Sequence, residues 1–294
     1  MTFDIGDGVD SAVNYVLDNF APLLDLIAAA IGAVTNNIQA LLLATPMSIG
    51  LAVFVLLSLW RVGFGFAVFT ALSLFLVDHM GLWSAMMETL SLVLASTLVA
   101  MLIGLPLGVA MARSDRVAAI VRPVLDLMQT MPAFVYLIPA AMFFGLGAVP
   151  GTIATVIFSM PPVVRLTNLG IRQVHVEFIE AGNAFGCTAL QLLCKVQLPN
   201  AMPSIMAGIN QTIMLSLSMV VIASMIGAGG IGNTVLTGIQ RLDVGTGFEG
   251  GLAVVILAVV LDRLTQSFGK ERASLGFRLF RRQTQQPEVS AATA

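Results

Sequence analysis

The chain of 294 residues is 57% hydrophobic and only 10% charged, with a mean hydropathy of +0.94. That leaves far too little polar surface to coat a soluble globule, so the composition requires a polytopic membrane protein. The net charge of −2 comes with no basic aromatic patch, and nucleic acid is not expected as a partner.

Residues 1–45 carry Asp4, Asp7, Asp10, Asp18 and Asp25 and no Lys or Arg. From residue 11 to 44 apolar positions such as Leu17, Phe20, Leu24, Ile27 and Ile31 recur every three or four. The spacing predicts an amphipathic helix, read as interfacial and external. No basic segment followed by an apolar run marks a cleavable leader, so the mature chain is expected to begin near Met1. Residues 46–80 are read as accessory transmembrane helices. The stretch 47–77 is apolar apart from Arg61, and a single helix over it would be roughly 46 Å long, against about 30 Å of hydrocarbon. Two short spans meeting at Arg61 fit better, because an Arg at the bilayer centre costs roughly 2.5–3.5 kcal/mol on insertion scales.

The core membrane domain is placed at 86–266, with spans predicted over 89–111, 132–148, 151–169, 205–226 and 251–261, the last extended at both ends. With the two accessory helices, this predicts an all-α fold of about seven transmembrane helices. Pro106, Pro132, Pro139, Pro161 and Pro162 lie in or beside these spans and imply kinked helices around a cavity. Residues 267–294 form a basic tail. With the N-terminus outside and the C-terminus inside, every Lys and Arg except Arg241 falls on the inner side or in that tail. The asymmetry predicts a cytoplasmic position for the loop 171–203.

Within that loop, 177–203 is the longest stretch of the central chain that lipid would reject. It holds Glu177, Glu180 and Lys195 between two apolar spans. Its spacing is specific: Glu180-Ala181-Gly182, then Gly186, then Val196-Gln197-Leu198-Pro199. Glu180 is read as a charge and acceptor beside a short docking helix. Gly186 is read as permitting the close approach or turn that follows, and Pro199 and Pro203 as setting the re-entry angle. No GxxxxGK[ST] occurs, so the chain cannot cradle ATP phosphates by itself; if it is the membrane half of a pump, an ATPase must be supplied by a partner. The GAGGIG run 227–232 follows an apolar span without a βαβ unit, and reads as a glycine-rich turn that lets outer loops pack closely. His175, Glu177, Cys187 and Cys194 match no metal pattern, and the two cysteines are expected as reduced thiols. No catalytic constellation is present, so an enzyme is not expected. Glu88, Asp126, Arg165 and Asp262 all fall at predicted span ends, which counts against the alternative, an ion-coupled secondary transporter of a small polar solute. Met131, Tyr136 and Met160 are the candidates for lining a translocation pathway.

The 180–199 pattern resembles the EAA loop of ABC importer permeases, with Gly182 where a second Ala is usual and Val196 where Ile is frequent. The run 122–139 (RPVLDLMQTMPAFVYLIP) is similar to permeases of the glycine betaine and proline betaine importers. So are 160–165 (MPPVVR), 195–203 (KVQLPNAMP), Asn210-Gln211-Thr212, 217–226 (LSMVVIASMI) and 261–265 (LDRLT). The resemblance covers about residues 46–266. It implies a type I importer in a bacterial inner membrane: a permease homodimer, cytoplasmic ABC ATPase subunits carrying ATP and magnesium, and a periplasmic or extracellular substrate-binding protein. The permease itself would hold no cofactor. The ATPase-coupling residues carried over are Glu180, Ala181, Gly182, Gly186, Leu198 and Pro199. The substrate implied is glycine betaine, proline betaine, choline or a related quaternary ammonium compound.

Overall fold

A computed structural model describes residues 5–269, and among these only helices, turns and connecting segments occur. The basic tail from Lys270 onward, and Asp4, lie outside the described residues. Helix α1 (Ile5–Ala44) is longer than an interfacial helix needs. Its stretch Val13–Ala44 is long and apolar enough to cross a membrane. Its buried face docks where the next long helices begin: Thr35 shares a hydroxyl hydrogen bond with Thr152 (3.3 Å), and Gly32 lies against Val149.

Helices α2 (Met47–Arg61) and α3 (Phe64–His79) form the hairpin anticipated at Arg61, broken at Gly63 with φ +134° and locked by a buried Ser58–Thr70 hydrogen bond of 3.1 Å. Each is only about 23 Å long, short of the hydrocarbon thickness. The Arg61 guanidinium lies over the rings of Trp60 (5.1 Å) and Phe268 (4.0 Å), which pins the hairpin tip to the end of the last helix.

Three long helices make the centre: α4 (Trp83–Arg113), α7 (Ala148–Arg172) and α10 (Leu198–Ser224). Small residues let their backbones close up. A Cβ on Gly108 would stand 2.8 Å from the Val164 carbonyl, and one on Gly208 3.0 Å from the Val163 Cα. Nearer the start of α4 the same helices bury a second set of contacts, among them Met86, Leu90, Val93, Leu217 and Val220.

Between α4 and α7 the chain forms α5 (Asp115–Thr130) and α6 (Ala133–Phe144), bent by 101° at Met131-Pro132. The span expected over 132–148 is therefore not a single crossing. At about 18 Å, α6 cannot reach across alone. Pro132 has no N–H, so the Met128 carbonyl loses its helical donor, and the Tyr136 hydroxyl replaces it at 2.6 Å. With α2 and α3 too short, the described residues contain five helices able to cross a membrane, or six if the bent pair counts as one, not seven.

At the end of the molecule away from the polar loop, Gly227, Gly229 and Gly230 all take φ between +72° and +82°, so the GAGGIG run is a turn. It starts α11 (Ile231–Arg241), whose first free N–H groups are taken by α4: Gly230 N–H donates to Glu88 and Ile231 N–H to Thr89, both at 2.9 Å. Helix α12 (Val244–Gly269) follows. Its start is ordered by Asp243, whose carboxyl the Thr246 hydroxyl and amide hold below the usual carboxylate range. Asp262 then joins α12 to α10 through Asn210 (3.0 Å).

Candidate coupling site

The polar loop folds as a helical hairpin hung from α7 and α10. At its root, Arg172 in the last turn of α7 donates to Asn168, to the Met111 carbonyl near the end of α4 (2.7 Å), and to Asp115 at the start of α5 (2.7 Å). One guanidinium thus ties three helix ends together and satisfies a terminal carbonyl of α4.

The first arm is α8 (Val176–Ala184). Glu180 and Ala181 face solvent on it, and Gly182 is its buried position. A Cβ at Gly182 would meet Leu192 Cδ1 at 2.6 Å, so the close approach of the two arms is here. The arm ends in a Schellman turn: Cys187 N–H donates to the Gly182 carbonyl (3.0 Å) and Gly186 N–H to that of Asn183 (2.9 Å). Gly186 has φ +74°, and open space surrounds the place a Cβ would take. Of the two roles anticipated for Gly186, the structure assigns it the turn and gives the close approach to Gly182.

The second arm starts at Thr188, which caps α9 (Ala189–Leu192) reciprocally with Gln191. The helix then widens into a π turn over Leu193–Gln197, with Leu198 N–H reaching back to Leu193, and runs on as α10. Pro199 explains the widening. It has no N–H for the Lys195 carbonyl, and its ring would strike that oxygen in a regular α-helix. Leu198 packs with Leu193, Ile171, Ala201 and Ile205, which fixes the arm to α7, whereas Pro199 is exposed. The helical run from Ala189 to Ser224 is thus continuous from the hairpin into the protein centre.

Sequence reasoning missed two residues. In the sequence Arg172 contributes only a charge to the inner side. Phe185, between the last residue of α8 and Gly186, is 89% exposed at the hairpin tip, with exposed Phe178 and Leu190 nearby in sequence. An aromatic directly before a Schellman glycine was the available signal, because that turn presents its preceding residue rigidly. Cys187 and Cys194 are free thiols.

Of the pathway candidates, Met131 and Tyr136 meet in one cluster with Leu137, Ala154 and Met219. Met160 lies in another, against Met111, Val163 and Val164. The structure does not bring the three together.

Residues 104–272 match the family described as the binding-protein-dependent transport system inner membrane component. The chain belongs to this family. It is 51% identical over 271 residues to the glycine betaine/proline betaine transport system permease protein ProW of Escherichia coli, covering 92% of this chain and 76% of that one. To the glycine betaine permease OpuAB of Bacillus subtilis it is 46% identical, covering 92% and 96%. To the glycine betaine/carnitine permease GbuB of Listeria monocytogenes it is 49% identical, covering 93% and 98%. Its fold matches a chain of the MetNI methionine ABC transporter, solved in inward-facing conformations, at TM-score 0.55 and 23% identity, over 68% of this chain and 95% of that one. The chain is therefore a multi-pass inner-membrane permease with the type I ABC importer fold, and permeases of this type work with ATPase and substrate-binding subunits.

Proposed function

We propose that this permease moves a compound with a quaternised nitrogen, such as glycine betaine, proline betaine or choline, into the cell, driven by ATP hydrolysis on a separate subunit. The observation that carries the coupling half of this reading is the hairpin: a rigid apolar tip at Phe185, mounted on a helix that continues into α10. Phe185 fills an apolar pocket of the ATPase, with Glu180 and Ala181 at the margin of the contact. Burying such a ring is worth roughly 1.5–3 kcal/mol, enough to make it a main anchor of the contact. Closure of the ATPase pair then pulls the hairpin, and the unbroken run into α10 carries the movement to its seam with α7. The substrate half rests on the relatives, named for glycine betaine, proline betaine and carnitine, which share an alkylated nitrogen.

The working unit in this reading is a permease homodimer in membrane lipid with two ATPase subunits, which supply ATP and magnesium, and an external binding protein. The polar hairpin and the C-terminus face the cytoplasm, and the N-terminus lies outside.

The test is uptake of radiolabelled glycine betaine and choline into proteoliposomes holding permease and ATPase, with binding protein outside. Uptake should require enclosed ATP. Phe185→Asp should leave the permease inserted but lose ATPase co-purification and at least tenfold of the uptake. Uptake by the permease alone on a sodium or proton gradient would instead establish the secondary-transporter alternative and end this reading.

A further inference from the structure

The break between α5 and α6 places two aromatic rings at a distinctive position. Tyr136, one turn into α6, is 8% exposed and held by its hydroxyl on the Met128 carbonyl, so its ring cannot swing away from the bend. Phe158 of α7 faces it with ring centroids 6.5 Å apart and planes inclined at 60°. The rings thus form a wedge rather than a stack. Met131, at the bend itself, and Met219 of α10 complete the surroundings with polarizable, uncharged groups. Asp126, the acidic residue nearest the bend in sequence, is engaged by Arg165 of α7. In many secondary transporters discontinuous membrane helices form the substrate site, and a broken helix pair offers this permease the same kind of surface.

A permanently alkylated nitrogen offers no N–H to donate and spreads its charge over methyl groups, so aromatic faces attract it better than neutral hydrogen-bonding groups do. We propose that Tyr136 and Phe158 form a transient cation–π station at the α5–α6 break, on which the quaternised nitrogen of the substrate rests as it crosses. This rests on the quaternary-ammonium reading above. In the present conformation Leu137, Ala154 and Met219 close the wedge. It opens when the α5–α6 bend moves away from α7. The station is weak by construction: two rings and no free carboxylate bind enough to guide the cation and too little to retain it.

Because the binding protein delivers the substrate, the station acts on the rate of passage rather than on the concentration that half-saturates uptake. The experiment is choline uptake by the full complex with Phe158 replaced by mono-, di- and trifluorophenylalanine and, separately, by Leu. Fluorination drains the ring face of negative potential at nearly constant shape. The maximal rate should therefore fall stepwise with each fluorine, and Phe158→Leu should lose roughly five- to thirtyfold. KM and ATPase co-purification should not move in any variant, and the thermal midpoint should stay constant across the fluorine series, while Phe158→Leu lowers it modestly through lost packing. A flat fluorine series, or a Leu variant as fast as the parent, would overturn the station while leaving the transport reading intact. Absence of choline and betaine uptake by the parent complex would overturn both.

Discussion

Gly182 and Gly186 lie four residues apart in one motif and are needed for different physical reasons. Gly186 is required by its backbone, at φ +74°, and nothing crowds it. A Cβ there costs roughly 1–2 kcal/mol through left-handed strain alone. Gly182 is required by nothing so strict: the atom its Cβ would meet is the terminal methyl of Leu192, which can rotate away, and Ala favours the helix by up to about 1 kcal/mol over Gly. Gly182→Ala should therefore be close to neutral in ATPase co-purification and thermal midpoint. Gly186→Val should lose co-purification, and Gly186→Asn should recover much of it, since Asn tolerates this conformation. The reverse order, with Gly182→Ala the damaging change, would show that close packing of the arms matters more than the turn. The motif spacing disclosed that both glycines belong to one site. It could not separate the roles, because sequence shows that a Cβ is missing and not whether backbone angle or space demands it. Phe185 is legible in the sequence only as an aromatic before a glycine, for a related reason: the fold alone shows an apolar side chain left in water.

Helices and turns are legible in the sequence where polarity changes abruptly and obscure where it does not. The hairpin, the break at Arg61 and the glycine-rich turn all interrupt apolar runs with charge or glycine, and each is found where expected. The α5–α6 bend is different. The residues after Pro132 are apolar whether the chain runs straight or turns by 101° there, so the expected span 132–148 covers a helix of only 12 residues, α6. The π turn before Pro199 was equally hidden. It adds one residue to the helix, so closing it would rotate α9 against α10 by about 100°. Pro199→Ala restores a donor for Lys195 and removes the steric reason for the bulge. The variant should melt at the same temperature or higher, yet lose ATPase co-purification, because Phe185 is then aimed elsewhere. Normal coupling in a Pro199→Ala permease would mean that the hairpin angle is set from α7 alone.

For the whole molecule, charge and topology constrain one another. Arg61, Arg113, Arg116, Arg172 and Lys195 gather at the end that carries the coupling hairpin, while Arg241 closes α11 at the other end. Gly50, near the start of α2, packs on Trp83 at the start of α4, so α2 enters from the end opposite the hairpin. Chain direction then links the N-terminus to α1. If α1 crosses the membrane, residue 14 lies on the hairpin side; if the N-terminus is outside, α1 must lie along the outer face despite being long enough to cross. The outer position follows from the proposed orientation and from the absence of any Lys or Arg in residues 1–45. Labelling with a membrane-impermeant maleimide distinguishes the two. In right-side-out cells the native Cys194 should stay unlabelled, whereas Asn14→Cys and Arg241→Cys, each in a background lacking native cysteines, should react. In inside-out vesicles the pattern should invert. Labelling of residue 14 only together with Cys194 would make α1 a true span. Labelling of Cys194 from outside would reverse the whole orientation and place the hairpin where no ATPase could reach it.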